Sequence, residues 1–449
     1  MGRVQKEEWN EWMKRVLLLS CRSPYLDSDR IYPPLANLYL KSFVNRHCPD
    51  VEVVVDDDYE DIESTAARYD FIGLSLMTPN RAEAERLAWR IRRSGSNAKI
   101  ILGGPHCKHY LSDLTGPLNT IPWDYIVPLD GEQALVDILN GQVGVRRVIG
   151  CIMSKEDIAT APRPDRPSAD AQAMLLRYHY TLGNRKASTM LTARGCPERC
   201  TFCEDAQTAV KWSNYENIIA EMDDILALGF KALYLFDDTF AIALKMITPI
   251  CRALKERDLI YRCNAQARYF SRDESFARLL AETGAYEVAF GAESGSQKIL
   301  DNIDKRTTVA QNYRTVELCK QYGIICKAFI LLGLPGEDED TLKETEQFIA
   351  TSGIDDAQIA IYYPYRGTKI RDEIDSGNNT GDIIFNGEGL GAYGQAGGST
   401  EAVVATSALS QERLLEFRDY LVKTYRPQSH KEKFKNEDLF FDTHLKDGE

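Results

Sequence analysis

The chain has 449 residues and 50.7 kDa, with 44% hydrophobic and 27% charged residues, the profile of a globular protein with more than one core. Its formal charge of −13, with no long basic block, disfavours a nucleic-acid partner. No apolar run is long enough to span a bilayer, and eleven cysteines without a secretory signal point to a reducing cytoplasm and not to a disulfide framework.

The opening residues, MGRVQKEEWNEWMKRVLLLSC, lack a cleavage pattern and read as a helix leading into a buried strand over Val16–Ser20. A Pro-Pro turn and a helix over Leu35–Arg46 follow. Further strands are expected over Val51–Val55, Phe71–Leu76, Lys99–Leu102 and Tyr125–Val127, with helices over Arg81–Arg93 and from Glu132 to Leu139. Short apolar runs alternating with amphipathic helices predict an α/β fold. Residues 1–150 then form a doubly wound, Rossmann-like parallel sheet covered on both faces, with its ligand beyond the carboxyl ends of the strands.

Residues 151–186 change character. The run Ala161-Pro162-Arg163-Pro164-Asp165-Arg166-Pro167 cannot sit inside a helix or sheet, because each proline removes a donor, and it reads as a linker crossing the surface. Strands resume at Ser188–Thr192, Ala232–Phe236, Tyr261–Ala265, Glu287–Phe290, Ile325–Leu331 and Gln358–Tyr362. Helices are expected over Asn214–Leu228, Leu244–Arg257, Asp273–Thr283, Val309–Tyr322 and Glu339–Thr351. Strand–helix units in this succession predict a partial (β/α)6 TIM barrel over 187–375. The segment 376–449 reads as a glycine-rich loop from Asn378 to Ser399, an amphipathic helix over Leu409–Tyr425 and a charged, frayed end.

Between the first barrel strand and helix lies Gly195-Cys196-Pro197-Glu198-Arg199-Cys200-Thr201-Phe202-Cys203. Three thiolates within eight residues can wrap one [4Fe-4S] cubane, and a cluster with only three thiolates keeps one iron open for chemistry. Zinc is the competing reading, but no fourth Cys or His stands nearby at zinc spacing; buried structural thiols are a second. Cys251, Cys263, Cys319 and Cys326 lie in expected helices and strands and read as core.

The CxxxCxxC spacing, with an aromatic before its last cysteine, resembles the radical S-adenosylmethionine superfamily, and the resemblance extends over the second half of the chain. It implies that Cys196, Cys200 and Cys203 ligate a [4Fe-4S] cluster and that Phe202 meets the adenine of S-adenosylmethionine. It places Asp237 and Asp238 near the methionine ammonium, and Glu293 and Ser294 of Gly291-Ala292-Glu293-Ser294-Gly295 by the ribose or amino group. Leu332, Gly333 and Pro335 of Leu332-Gly333-Leu334-Pro335-Gly336-Glu337 would flank the adenine, and Tyr363-Pro364-Tyr365-Arg366-Gly367-Thr368 resembles a further turn of the family. The implied chemistry is reductive cleavage of the sulfonium by one electron from a donor such as flavodoxin or ferredoxin. The product is a 5′-deoxyadenosyl radical that takes hydrogen from an unactivated carbon of a small molecule.

The first half resembles the cobalamin-binding domain that precedes the barrel in one subclass of that superfamily, beginning with Tyr32-Pro33-Pro34-Leu35-Ala36-Asn37-Leu38-Tyr39-Leu40. Its carboxyl strand ends carry Ser75 and Thr78, Gly103, Gly104 and His106, and Gly131 and Glu132, which the resemblance puts around cobalamin. The "D-x-H-x-x-G" motif of another cobalamin family is absent. Cobalamin-dependent C-methylation in specialised-metabolite biosynthesis is the implied activity. Radical dehydration, deoxygenation or rearrangement of a sugar-like, aminoglycoside or nucleoside substrate is the alternative.

Overall fold

The run Val16-Leu17-Leu18-Leu19 is buried on both sides and forms the centre of strand β1 (Lys14–Ser20). The structure, a computed structural model, describes residues 13–22, 30–378, 382–387 and 401–426. The expected opening helix, most of the glycine-rich loop and the charged end lie outside the described residues. Among the described residues no helix is long and apolar enough to cross a membrane.

Two compact units divide the chain. The first comprises residues up to 22 together with 36–153 and 162–174. Its sheet adds β2 (Val51–Asp56), β3 (Phe71–Ser75), β4 (Lys99–Gly103), β5 (Tyr125–Val127) and β6 (Arg147–Val148) in the order β2-β1-β3-β4-β5-β6. All pairings are parallel. Because β2 and β3 flank β1 on opposite sides, the winding reverses there, and such a reversal opens a crevice at the carboxyl strand ends. Leu17, Leu19, Ile72, Leu74, Ile100 and Leu102 pack on one face against Leu87, Ala88 and Ile91 of the helix Arg81–Arg93. Strand β6, two residues long with both exposed, is too short for an alternation to announce it.

The proline run is not a surface linker. Pro162, Pro164 and Arg166 are buried, and Pro162–Met174 belongs to the first unit. A proline cannot donate to a ladder, but its ring packs like any apolar group. The buried Lys41 on the helix Leu35–His47 holds this return segment, with Nζ 2.5 Å from Asp170 and 3.5 Å from Asp165, while Asp170 also accepts from the Val55 amide at 2.9 Å. The segment also forms most of a helix, Ala169–Leu175.

The second unit comprises 23–35, 154–161 and 175 onward. Its strands are β7 (Thr181–Leu182), β8 (Arg185–Met190), β9 (Ala193–Arg194), β10 (Lys211–Trp212), β11 (Ala232–Leu235), β12 (Ile260–Ala265), β13 (Ala285–Glu293), β14 (Ile325–Leu332), β15 (Asp356–Ile361), β16 (Ile384–Phe385) and β17 (Val404–Ala405). The main sheet runs β15-β14-β13-β12-β11-β8-β7. From β8 to β15 it is parallel and sequential, each strand laid beside the last, which is a partial barrel; β7 closes one edge antiparallel. Several helices start where the sequence supplies a cap: Asn214 accepts from the Asn217 amide at 2.8 Å and Asp338 from the Thr341 amide at 2.9 Å.

Alternation along β12 sorts the layers. Tyr261, Cys263 and Ala265 join the apolar core, in which Cys251, Cys319 and Cys326 are also fully buried, as expected. On the inner side of the barrel are charges instead. Arg262 is 3.1 Å from Glu287, both 1% exposed, with its guanidinium 4.3 Å over the Tyr234 ring. Farther round, Asp356 takes Lys327 at 3.1 Å and Arg426 at 2.6 Å; Arg426 follows the helix Gln411–Tyr425 and so fastens it to β15.

Candidate functional site

The cysteine loop is shaped before any ligand is considered. Gly195 has φ +101, its amide donates to Asp238 Oδ2 at 2.8 Å, and a Cβ there would lie 2.4 Å from the Ala209 carbonyl oxygen. The Cys196 amide donates to Thr208 Oγ1 at 2.8 Å, the Thr208 amide returns to the Cys196 carbonyl at 2.9 Å, and β9 pairs with β10 to close the base. Inside the loop the Cys203 amide donates to the Cys200 carbonyl at 3.1 Å. The Thr201 amide reaches out to the Ile303 carbonyl at 3.0 Å.

The three cysteines line one cavity of about 300 Å³ at the carboxyl ends of the strands. Phe202, Asp238 and Glu293 line it as well, so these sequence-predicted residues come together. Phe236, Phe329, Ala289 and Gly291 supply apolar wall, and Asn264 and Gln266 supply amides. Cys196 and Cys200 are buried and Cys203 is partly so. Burial pushes the Cys196 thiol up to about 11 and Cys203 up to about 12, and it raises Cys200; each also feels the charge of a neighbouring cysteine or carboxylate. Such thiols ionise readily only when a cation meets the sulfur. Among the described residues no three Cys, His, Asp or Glu side chains meet closely enough to chelate a single ion. Thiolates that each take a different corner of a cubane stand farther apart than the ligands of one ion, and among the described residues no histidine or fourth cysteine lines the cavity.

Five residues expected at S-adenosylmethionine are turned elsewhere. Asp237 is buried and accepts from the Thr192 amide at 2.6 Å and from the Thr192 hydroxyl, tying the end of β11 to the entrance of the cysteine loop; its burial pushes the carboxyl up to about 7. Ser294 Oγ bonds Thr345 Oγ1 at 3.0 Å and serves packing against the helix Glu339–Ser352. Leu332 is core, the Gly333 amide donates to the Glu337 carboxylate, and the Pro335 carbonyl accepts from Asn302 at 2.8 Å. None of the five lines the cysteine cavity.

Two residues that the motifs did not single out are there. Glu198, inside the cysteine spacing, is 2% exposed, with Oε2 3.2 Å from Arg268, and Oε1 accepts nothing from the described residues. Lys305 is 4% exposed and 2.6 Å from Glu293. The only sequence signal for Glu198 was its place between ligand candidates; Lys305 had none.

Burial also pushes the Glu337 carboxyl up to about 8, against backbone amides of Gly333 and Leu334 that lower it. The fold thus keeps a proton that the unfolded chain, with a carboxyl near 4.5, has released. Stability from this group is complete below about pH 4.5 and falls as pH rises toward 8. E337Q is expected to flatten that slope, which is at most about 1.4 kcal/mol per pH unit, in urea melts from about pH 5 to pH 8.

In the first unit Ser75, Gly103, Gly104 and Gly131 sit partly exposed at the strand ends, beside the exposed side chains of Met77 and Leu129. Thr78, His106 and Glu132 are buried. His106 does not face outward: its Nδ1 is 3.0 Å from Thr78 Oγ1 and its ring stacks on Tyr110 at 4.9 Å. The apolar lip suits a large planar macrocycle, whereas a cobalt ligand from His106 does not fit this placement.

A sequential partial barrel with three thiols at its carboxyl face, preceded in the sequence by a doubly wound domain with an apolar lip, defines the class: an enzyme suited to hold a cysteine-ligated cofactor. Residues 190–349 match the Radical SAM superfamily and residues 27–139 match the B12 binding domain. The chain thus carries a radical S-adenosylmethionine domain and, ahead of it in the sequence, a B12-binding domain, and these domains imply a [4Fe-4S] cluster, S-adenosylmethionine and cobalamin as cofactors. It is 28% identical to an uncharacterized methyltransferase of Pyrococcus horikoshii over 75% of this chain and 77% of that one. It is also 28% identical to the anaerobic magnesium-protoporphyrin IX monomethyl ester cyclase of Rubrivivax gelatinosus over 67% of this chain, spanning 58% of the cyclase. In fold it is similar to the radical S-adenosylmethionine methyltransferase TsrM from Kitasatospora setae, solved with cobalamin and a [4Fe-4S] cluster bound. The TM-score is 0.64 at 17% identity, over 84% of this chain and 78% of that one.

Proposed function

We propose that the protein methylates an unactivated carbon of a small molecule in specialised-metabolite biosynthesis, with Cys196, Cys200 and Cys203 each holding one iron of the cluster. The observation that carries this reading is the convergence of those cysteines with Phe202, Asp238 and Glu293 on one cavity at the carboxyl ends of the strands. When bound, the cluster and S-adenosylmethionine supply one-electron cleavage of the sulfonium to a 5′-deoxyadenosyl radical, and cobalamin supplies a methyl carrier. Asp238 and Glu293 offer carboxylates to the ammonium and ribose hydroxyls of S-adenosylmethionine. Phe202 offers a flat apolar surface to its adenine, while Phe236 and Phe329 keep water from the reacting carbon. Ser75, Gly103, Gly104 and Gly131, with the Met77 and Leu129 side chains, form the bed for cobalamin. The electron comes from an external donor such as flavodoxin or ferredoxin, and the acidic chain with no long basic block does not favour a nucleic-acid partner. The methyltransferase relative in Pyrococcus horikoshii supports methyl transfer over the alternatives.

The test is anaerobic reconstitution with iron, sulfide and cobalamin, followed by turnover with S-adenosylmethionine labelled in its methyl group. About four irons per chain, bound cobalamin, 5′-deoxyadenosine and label in a carbon-bound methyl of the product are expected. Formation of 5′-deoxyadenosine with no cobalamin retained and no label transferred would end the methylation reading.

A further inference from the structure

Unusual backbone converges on one buried ion pair. Glu293 has φ +59 at an irregularity in β13, and Lys305 sits between Asp304 at φ +47 and Arg306 at φ +57. Non-glycine residues rarely adopt this region, and such strain persists where the surroundings over-determine it. Gly291 leaves room for the pair as placed, because a Cβ there would lie 2.1 Å from Glu293 Oε1 and 2.7 Å from Lys305 Nζ and would displace them. The strained segment is fastened to the cysteine loop on two sides, by Arg199 to Asp304 at 3.1 Å and by the Thr201 amide to the Ile303 carbonyl at 3.0 Å. Between these ties Lys305 Nζ stands 2.6 Å from Glu293 and 5.8 Å over the Phe202 ring. It lines the cysteine cavity, and its charge reaches Cys200 and Cys203.

We propose that Lys305 is a positioning residue with two tasks: its ammonium fixes Glu293 Oε1 so that Oε2 is presented to S-adenosylmethionine, and its charge favours the reduced cluster. Reduction adds a negative charge to a site already bearing thiolates, so a fixed cation nearby stabilises the reduced form more than the oxidised one. The inference rests on the cysteines being cluster ligands, but it is read without turnover. Failure of methyl transfer therefore leaves it standing.

The experiment uses the reconstituted full chain at matched iron content and compares wild type, K305M, K305Q and K305R. Potentiometric titration followed by electron paramagnetic resonance reads the cluster; equilibrium binding of S-adenosylmethionine reads Glu293. K305M is expected to lower the reduced fraction at a given poise about tenfold, a one-electron shift of about 59 mV to more negative potential, and to weaken S-adenosylmethionine at least tenfold. K305R is expected to keep the wild-type potential. If K305M does not load iron, K305Q, whose amide can still bond Glu293, is expected to show the same shift in potential. A wild-type potential in the loaded neutral variants overturns the electrostatic task, and unchanged S-adenosylmethionine affinity in K305M overturns the presenting task.

Discussion

C196A, C200A and C203A, made one at a time, are each expected to abolish 5′-deoxyadenosine formation, a loss on the order of a thousandfold or more, and to lower bound iron. On the proposed ligation each thiolate takes a different corner of the cubane, so the remaining two cannot substitute for the third, and among the described residues the cavity offers no histidine or fourth cysteine as replacement. C251A and C319A are the controls. Both residues are fully buried in the apolar core, so their loss is expected to reduce stability by about 1 kcal/mol and leave iron unchanged. Iron and 5′-deoxyadenosine are measured together on anaerobically reconstituted protein. Full retention of both in C200A would show that the cluster is held elsewhere.

D356A is expected to cost the second unit about 3–5 kcal/mol in urea unfolding. Asp356 is 0% exposed at the side chain, and two buried cations converge on it, Lys327 at 1% and Arg426 at 3%. Removing the shared anion leaves both charges to be carried by the interior, which is costlier than losing the attraction itself. R426A is expected to be milder, because Lys327 still meets Asp356 and the end of the helix Gln411–Tyr425 can loosen toward water. A D356A variant as stable as wild type would mean that the barrel interior is wet enough to screen these charges.

The barrel was legible because most of its strands are apolar runs and several of its helices begin at caps. The helices expected to start at Leu244, Val309 and Glu339 start there. The six parallel strands also appear in the expected order. The site was half legible. Spacing brought out Cys196, Cys200 and Cys203, and glycine-bearing turns brought out Glu293. Which of two adjacent carboxylates faces the cavity was not readable, since Asp237 and Asp238 lie past the end of β11, where alternation no longer sorts inside from outside. Lys305 was invisible for a related reason: its direction is set by left-handed turns at Asp304 and Arg306, which carry no glycine to mark them. The proline run misled because lack of donors was read as exposure, whereas Pro162 and Pro164 pack inward.

The return of Pro162–Met174 to the first unit, after Ser154–Ala161 has been given to the second, bears on how the gene can be cut. A recombinant half stopping at residue 150 would deprive Lys41 of Asp165 and Asp170 and strip the Val55 amide of its acceptor. One stopping after Met174 would keep them but carry Ser154–Ala161 as an orphaned excursion. The two modules are thus interleaved at the level of the coding sequence, and exchanging the cobalamin module between related enzymes requires a transplant in pieces, not a single splice.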